Sequence, residues 1–303
     1  MGRTVLVTGA AGFIGSNVVR QLLEQGCQVV GIGRAGVHLP VPHRNLHWQV
    51  SEVDRQALLG IGCVPDLIVH CAGGSSVQRS LDWPEDERLG TLAAVEGVLD
   101  FARRVAPDAA LVLVSSAAVY GHAAVQPIVE ECPLLPVSPY GEHKRVAEAM
   151  WRDAAVAGCR AAVVRLFSVY GEGLRKQLLW DACGKLMRSE ARFGGSGDER
   201  RDWLHVTDAA RLLILAGDHA SVECPVVNGA EGRPVSVRDL VVELAAALGC
   251  EIALTFTGVA RAGDPACYWA DVARAHAWSW LPSTDWKTGA QRYAQWFRSL
   301  KSA

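Results

Sequence analysis

The sequence predicts an α/β protein, a doubly wound parallel sheet followed by a smaller C-terminal subdomain. Three observations carry that prediction. Up to about residue 165, short apolar runs of strand length alternate with stretches of helical periodicity. A glycine-rich turn, Gly9-Ala10-Ala11-Gly12-Phe13-Ile14-Gly15, joins the first such run to the first helical stretch. Past about residue 167 the alternation gives way to a less regular pattern. Strands alternating with helices imply a parallel sheet with helices on both faces. In such sheets ligands bind beyond the carboxyl ends of the strands.

The elements follow in order. Thr4-Val5-Leu6-Val7-Thr8 reads as a short buried strand. The stretch 13–25 carries Val18, Val19, Leu22 and Leu23 at helical spacing, and Gly26 ends it. Residues 27–32 form the second strand. Within this unit Gly9 permits the tight turn, Gly12 lets the backbone approach a pyrophosphate, and Gly15 allows close helix–strand packing. The helix start at Phe13 and Ile14 offers free N–H groups to the phosphates. A glycine motif in this setting signals a Rossmann-like dinucleotide site. Further strands are expected at 46–50, 67–71, 111–116 and 161–166, and helices at 54–60, 88–105 and 138–157. Residues 1–166 are then a dinucleotide-binding domain, with sheet contributions from later segments, and 167–303 mostly a substrate-binding subdomain. In the latter, 194–198 reads as a loop, 225–228 as a strand, 236–248 as a helix and 251–256 as a strand. Gly9, His70 and Ser116 all fall at carboxyl ends of strands, so three segments converge on one crevice. Five of the ten Trp lie between 269 and 296, read as packing, with Trp269 left open to a ligand.

Composition excludes several classes. The formal net charge is −2, which gives no electrostatic case for nucleic acid or anionic membrane. No apolar run reaches the ~20 residues of a membrane span. Met1-Gly2-Arg3 leads straight into a strand, so no leader peptide is expected. Nine Cys, an odd number without a C-x-x-C pair, argue against a disulfide framework or a metal site. Reduced thiols in a cytoplasmic protein are expected.

Tyr140 and Lys144 are four residues apart in Ser138-Pro139-Tyr140-Gly141-Glu142-His143-Lys144. On a helix that spacing places both on one face, roughly 5–6 Å apart at Cβ. A free Tyr, with a pKa of about 10, is a poor base at neutral pH. A neighbouring ammonium favours the phenolate, and lowering the pKa by ~3 units takes about 4 kcal/mol. The pair is a candidate general acid/base for an alcohol proton. His143 between them reads as an exposed helical residue, with a second acid left open.

Further motifs recur in order: His70-Cys71-Ala72-Gly73, Val114-Ser115-Ser116-Ala117-Ala118-Val119-Tyr120-Gly121, Arg165-Leu166-Phe167-Ser168-Val169-Tyr170-Gly171, Arg201-Asp202-Trp203-Leu204-His205-Val206-Thr207-Asp208 and Arg261-Ala262-Gly263-Asp264-Pro265. With the glycine turn and the Tyr140/Lys144 pair, the chain resembles the extended short-chain dehydrogenase/reductase family, in its NAD-dependent epimerase/dehydratase (nucleotide-sugar) branch. The resemblance implies Ser116, Tyr140 and Lys144 as catalytic residues, with Ser116 preferred over Ser115, whose alternative role is backbone capping. It implies a cofactor seat at Gly9, Gly12, Phe13, Ile14, Gly15, Cys71, Ala72 and Gly73, with Tyr140 and Lys144. It places Ser168, Arg201 and Arg261 on the substrate side. Guanidinium forks suit a diphosphate, against the alternative of an ion pair between Arg201 and Asp202. Lys176 and Gln177 open the subdomain on a basic loop that can also reach phosphate. The implied partner is a nucleotide-diphosphate sugar, and the implied assembly a homodimer through the helices at 88–105 and 138–157.

Some residues depart from the family's pattern. The second strand ends Ile32-Gly33-Arg34 without the acid usual for an NAD ribose. Gly33 and Arg34 therefore lean the cofactor, NAD or NADP, towards NADP. Ala117-Ala118 stands where 4,6-dehydratases of the family carry Asp-Glu, which argues against that reaction. Thr91 and Ser168 stand where relatives often have Asn. A 4-epimerase is placed first, acting through a transient 4-keto sugar. An NADPH-dependent 4-ketoreductase is the alternative. A non-catalytic NADP-binding sensor comes last, because such a protein would be expected to lose Tyr140 or Lys144.

Overall fold

The computed structural model describes residues 2–34, 42–259 and 267–300. The chain runs β1 (Thr4–Thr8), α1 (Phe13–Glu24), β2 (Gln28–Gly33), β3 (Leu46–Val50), α2 (Arg55–Leu59), β4 (Leu67–His70), α3 (Val77–Asp82), α4 (Pro84–Val105), β5 (Ala110–Ser116), α5 (Pro139–Val156) and β6 (Arg160–Leu166). A 3-10 turn, Ala117–Tyr120, lies between β5 and α5. Then come β7 (Ser168–Tyr170), α6 (Gln177–Leu186), β8 (Arg192–Phe193), β9 (Arg200–His205), α7 (Val206–Asp218), β10 (Val226–Gly229), β11 (Pro234–Ser236), α8 (Val237–Leu248), β12 (Thr255–Phe256), β13 (Cys267–Tyr268), α9 (Ala273–Ala277) and α10 (Trp286–Ser299).

Seven strands form one parallel sheet in the order β10-β6-β5-β4-β1-β2-β3. The order reverses between β1 and β4, which makes their carboxyl ends the switch point where a ligand crevice opens. Strand side chains alternate between faces. Val5 and Val7 of β1 join Val18 and Leu22 of α1 and Leu212 of α7 in one buried layer. Leu6 joins Val95 and Val98 of α4 and Trp151 of α5 in the other. Burial on both faces is why these strands read as continuous apolar runs.

Local signals account for the helices that hold the site. Ser138 caps α5, its Oγ accepting from the Gly141 N–H at 3.2 Å, and Pro139 follows at the first helical position. Helix α4 starts at Pro84, four residues before the expected 88. Its first turn holds Glu85, Asp86 and Glu87 and its last turn Arg103 and Arg104, which suits the helix dipole.

Beyond residue 167 part of the chain returns to the main sheet. Helix α7 packs on it beside α1, and β10 pairs with β6 as an edge strand. The remainder gathers around α6, α8 and α10, with Leu179, Leu240, Leu244, Tyr293 and Phe297 in a separate core. The strand expected at 251–256 is reduced to Thr255–Phe256, because its partner β8 offers only two residues. Among the described residues no helix is long and apolar enough to cross a membrane.

Candidate active site

The glycine turn fills the switch point. Gly9 has a φ of 65°, and a Cβ there would stand 2.7 Å from the Ala72 nitrogen. A Cβ on Gly15 would stand 2.3 Å from the Gly9 carbonyl oxygen. Gly12 precedes α1 without a side-chain cap, and no acid occupies the first turn. A helix start of this kind keeps orphan N–H groups, here at Phe13 and Ile14, which suit an anion. Backbone donors with no side chain or acid in the way are what a dinucleotide pyrophosphate needs. Cys71, Ala72 and Gly73 run against the turn, with Gly73 at a φ of 116°. Burial pushes the Cys71 thiol up to about 12, so it stays protonated.

Ser116, Tyr140 and Lys144 meet at the carboxyl end of β5. Ser116 Oγ accepts from the Ala118 N–H at 3.2 Å and stands beside the Tyr140 phenol. The capping role weighed for Ser115 thus belongs to Ser116. Ser115 is buried and donates to Glu148 Oε1 at 2.6 Å. Glu148 also accepts from Arg165 Nη2 at 2.7 Å, and Arg165 Nη1 reaches the Tyr120 hydroxyl at 3.0 Å. This buried network braces β5, α5 and β6 beneath the site. Lys144 Nζ donates to the Val114 carbonyl at 3.0 Å and lies 6.0 Å from the Tyr140 ring centroid. Burial raises Tyr140 above its ordinary value, the Ser116 hydroxyl opposes that, and the Glu87 charge adds to it. Burial lowers Lys144, against the charges of Glu87, Cys71 and Glu148. The shift of Tyr140 is thus upward and set first by desolvation, not downward as expected from the pairing with Lys144.

His143 is not the exposed residue expected. It is buried, and its Nδ1 contacts Glu87 Oε2 of α4. Glu87 Oε1 accepts from Thr91 Oγ1 at 3.0 Å, and Thr91 Oγ1 accepts from the Gly74 N–H at 2.9 Å. Sequence reasoning missed Glu87 because it sits in an acidic first turn that reads as solvated. Its i, i+4 spacing to Thr91 was the available signal.

Lys176 Nζ donates to the Ser75 carbonyl at 3.2 Å and to its hydroxyl at 3.0 Å. Gln177 begins α6 with a φ of 67°. Ser168 lies half-buried in β7, opposite Trp203 of β9. Arg201 lies opposite Tyr268 in the β9–β13 ladder. The Asp202 carboxylate accepts from the backbone N–H groups of Glu231, Gly232 and Ala270. Arg261 lies outside the described residues. At the end of β2, Arg34 Nε is 3.9 Å from Glu52 Oε1, both side chains exposed. A Cβ on Gly33 would stand 2.9 Å from the Ala11 nitrogen, so packing against the glycine turn is itself a reason for Gly33.

Residues 5–228 match the model of the NAD dependent epimerase/dehydratase family. The chain belongs to that family. A UDP-glucose 4-epimerase of Azospirillum brasilense is 31% identical, over 99% of this chain and 93% of that protein. Among solved structures, a UDP-N-acetylglucosamine 4-epimerase from Methanobrevibacter ruminantium M1, in complex with UDP-N-acetylmuramic acid, superposes with a TM-score of 0.90 at 25% identity, covering 99% of both chains. An NAD dependent NDP-hexosamine 5,6-dehydratase involved in tunicamycin biosynthesis superposes with a TM-score of 0.85 at 27% identity, covering 98% of both chains. The protein is thus an enzyme of the extended short-chain dehydrogenase/reductase fold, in an NAD-dependent family that holds both epimerases and dehydratases. Within that family the glycine turn and the Ser116, Tyr140 and Lys144 cluster are separate contributions, one from β1 and β4 and the other from β5 and α5, brought together by the order of the sheet.

Proposed function

We propose that the protein is a nucleotide-sugar 4-epimerase that works through a transient 4-keto sugar, with Tyr140 as its acid and base. The meeting of Ser116, Tyr140 and Lys144 beside the glycine turn carries this reading. Bound nicotinamide supplies the hydride acceptor and donor. The chain's own residues do the rest. Tyr140 takes the proton of the C4 hydroxyl and later returns it. Ser116 holds the reacting oxygen and the phenol together. Lys144 binds ribose hydroxyls, and its ammonium favours the phenolate. Gly9, Gly12, Phe13, Ile14, Gly15, Cys71, Ala72 and Gly73 seat the dinucleotide. Ser168, Lys176 and Gln177 line the sugar side, and the Arg201 and Arg261 guanidiniums take the diphosphate.

The similarity to UDP-sugar epimerases supports a nucleotide sugar as substrate. Ala117-Ala118 offers no carboxylate for eliminating water, which disfavours a 4,6-dehydratase. The ketoreductase alternative draws on Gly33 and Arg34. Glu52 beside Arg34 disfavours a 2′-phosphate there, and the packing of Gly33 accounts for the missing acid, so NAD is the better assignment. A homodimer through α4 and α5 belongs to the same reading.

The test is to incubate the protein with NAD and UDP-glucose or UDP-N-acetylglucosamine in deuterated buffer and follow the sugar by NMR. Inversion at C4 without deuterium at C4 is the expected result. If neither sugar inverts while NADPH is consumed with a 4-keto sugar nucleotide, the reductase replaces the epimerase. Denaturing the protein and identifying the released nucleotide by mass spectrometry decides between NAD and NADP.

A further inference from the structure

We propose that the buried Glu87–His143 pair is a positioning device for the acid/base, setting the charge felt by Tyr140 and tying its helix to the Gly73–Gly74 loop. The proposal rests on Tyr140 being the acid/base of the reaction. It begins from shape. A Cβ on Gly74 would stand 1.5 Å from Glu87 Oε1, so the carboxylate fills the space that any side chain at position 74 would need. Glu87 and Thr91 share one face of α4, and Glu87, Thr91 and His143 are all buried. The chain of contacts is continuous. The Gly74 N–H donates to Thr91 Oγ1 at 2.9 Å, Thr91 Oγ1 donates to Glu87 Oε1 at 3.0 Å, and Glu87 Oε2 contacts His143 Nδ1. His143 stands three residues after Tyr140 and one before Lys144 on α5. The Tyr140 N–H is itself held by Ser80 Oγ of α3 at 3.0 Å.

A buried carboxylate is costly unless hydrogen-bonded, and a buried ionisable pair is a weak source of stability compared with apolar packing of the same volume. Its place is better explained by its neighbours. Glu87 contacts the His143 side chain of α5, and its charge acts on both Tyr140 and Lys144. The other ionisable groups that face Lys144 are His70, which burial lowers to about 3, and Cys71, both at the end of β4, and Glu148 of α5. Cys71 stays a neutral thiol, and Glu148 is held by Arg165. Glu87 is thus the carboxylate whose charge reaches the phenol itself. It favours the ammonium of Lys144 and opposes the phenolate of Tyr140, adding to the burial that is the larger cause of the raised Tyr140 value.

The test is a spectroscopic titration of the Tyr140 phenolate in the purified protein, with and without NAD. The signal is the difference between each protein and the same protein carrying Tyr140→Phe. Glu87→Gln keeps the shape and removes the charge, and is expected to lower the midpoint by on the order of 0.5–1 unit. An unchanged midpoint in a folded Glu87→Gln protein overturns the proposal and leaves the pair a purely structural contact. Where Glu87→Gln does not fold, the double variant Glu87→Met/His143→Leu carries the same test. It replaces the pair by apolar side chains, leaving the Thr91 hydroxyl without its acceptor, and the same lowering is expected. No sugar is present in this titration, so its outcome is independent of whether the nucleotide-sugar assignment holds.

Discussion

Lys144 Nζ stands 6.0 Å from the centroid of the Tyr140 ring, while its hydrogen bond goes to the Val114 carbonyl at 3.0 Å. The ammonium is thus anchored to β5 just before Ser115 and Ser116, and its position does not depend on the phenol. Lys144→Met keeps most of the side-chain length and removes the charge. Its kcat is expected to fall by about 10²–10⁴-fold, the scale of one general acid/base contribution. The Val114 carbonyl loses its partner, which costs about 1–3 kcal/mol and lowers the Tm. Steady-state kinetics with thermal melts check both effects, and a near-normal kcat in the folded variant removes Lys144 from the reaction.

Gly15 and Gly90 are glycines of two helices with opposite surroundings. A methyl on Gly15 would stand 2.3 Å from the Gly9 carbonyl oxygen, while one on Gly90 meets nothing within 4 Å. The first clash is with backbone, so no rotamer change relieves it. Gly15→Ala is expected to cost about 1–3 kcal/mol and to weaken NAD binding by opening the turn. Gly90→Ala is expected to stabilise α4 by up to ~1 kcal/mol, because alanine is the better helix former. Thermal melts and calorimetric NAD titration of the two variants read the contrast. Equal effects would mean that the glycine turn tolerates a side chain.

The parts of the molecule that were legible in the sequence are those fixed by local patterning. Val5, Leu6 and Val7 announce a strand buried on both faces, and Gly9, Gly12 and Gly15 announce the turn after it. Ser116, Tyr140 and Lys144 were legible as a group through the family's motifs. The Glu87–His143 pair was not, because it joins two helices 56 residues apart and each partner reads as a surface residue in its own helix. The same holds for α7 and β10. Their residues lie past 167, where local periodicity does not tell a helix of the main sheet from one of the subdomain. Gly33 was read for what an absent acid would mean to a cofactor, and the contact with Ala11 that requires a glycine there is not local to β2.

Glu172 gives a pH dependence whose sign follows from its partners. Its two carboxylate oxygens accept from His205 Nε2 and Arg292 Nε, each at 2.9 Å, tying the turn after β7 to β9 and α10. Burial alone would raise this carboxyl. The His205 hydrogen bond and the charges of His205 and Arg292 outweigh it, leaving the group at about 2 against an ordinary 4.5. A folded value below the unfolded one means that the ionised form stabilises the fold. That contribution is fully present above about pH 4.5 and is lost as the pH falls through about 2. The wild-type Tm is therefore expected to drop more steeply between pH 4.5 and 2 than that of Glu172→Gln, which has nothing to titrate there. At neutral pH the variant is expected to melt lower, because His205 and Arg292 lose their carboxylate. The turn it anchors leads from Ser168 to Lys176, so the loosened variant should also bind a sugar nucleotide more weakly while keeping its NAD. Melts across a pH series decide the matter: parallel curves for the two proteins would show that the Glu172 carboxylate contributes nothing to the acid limb.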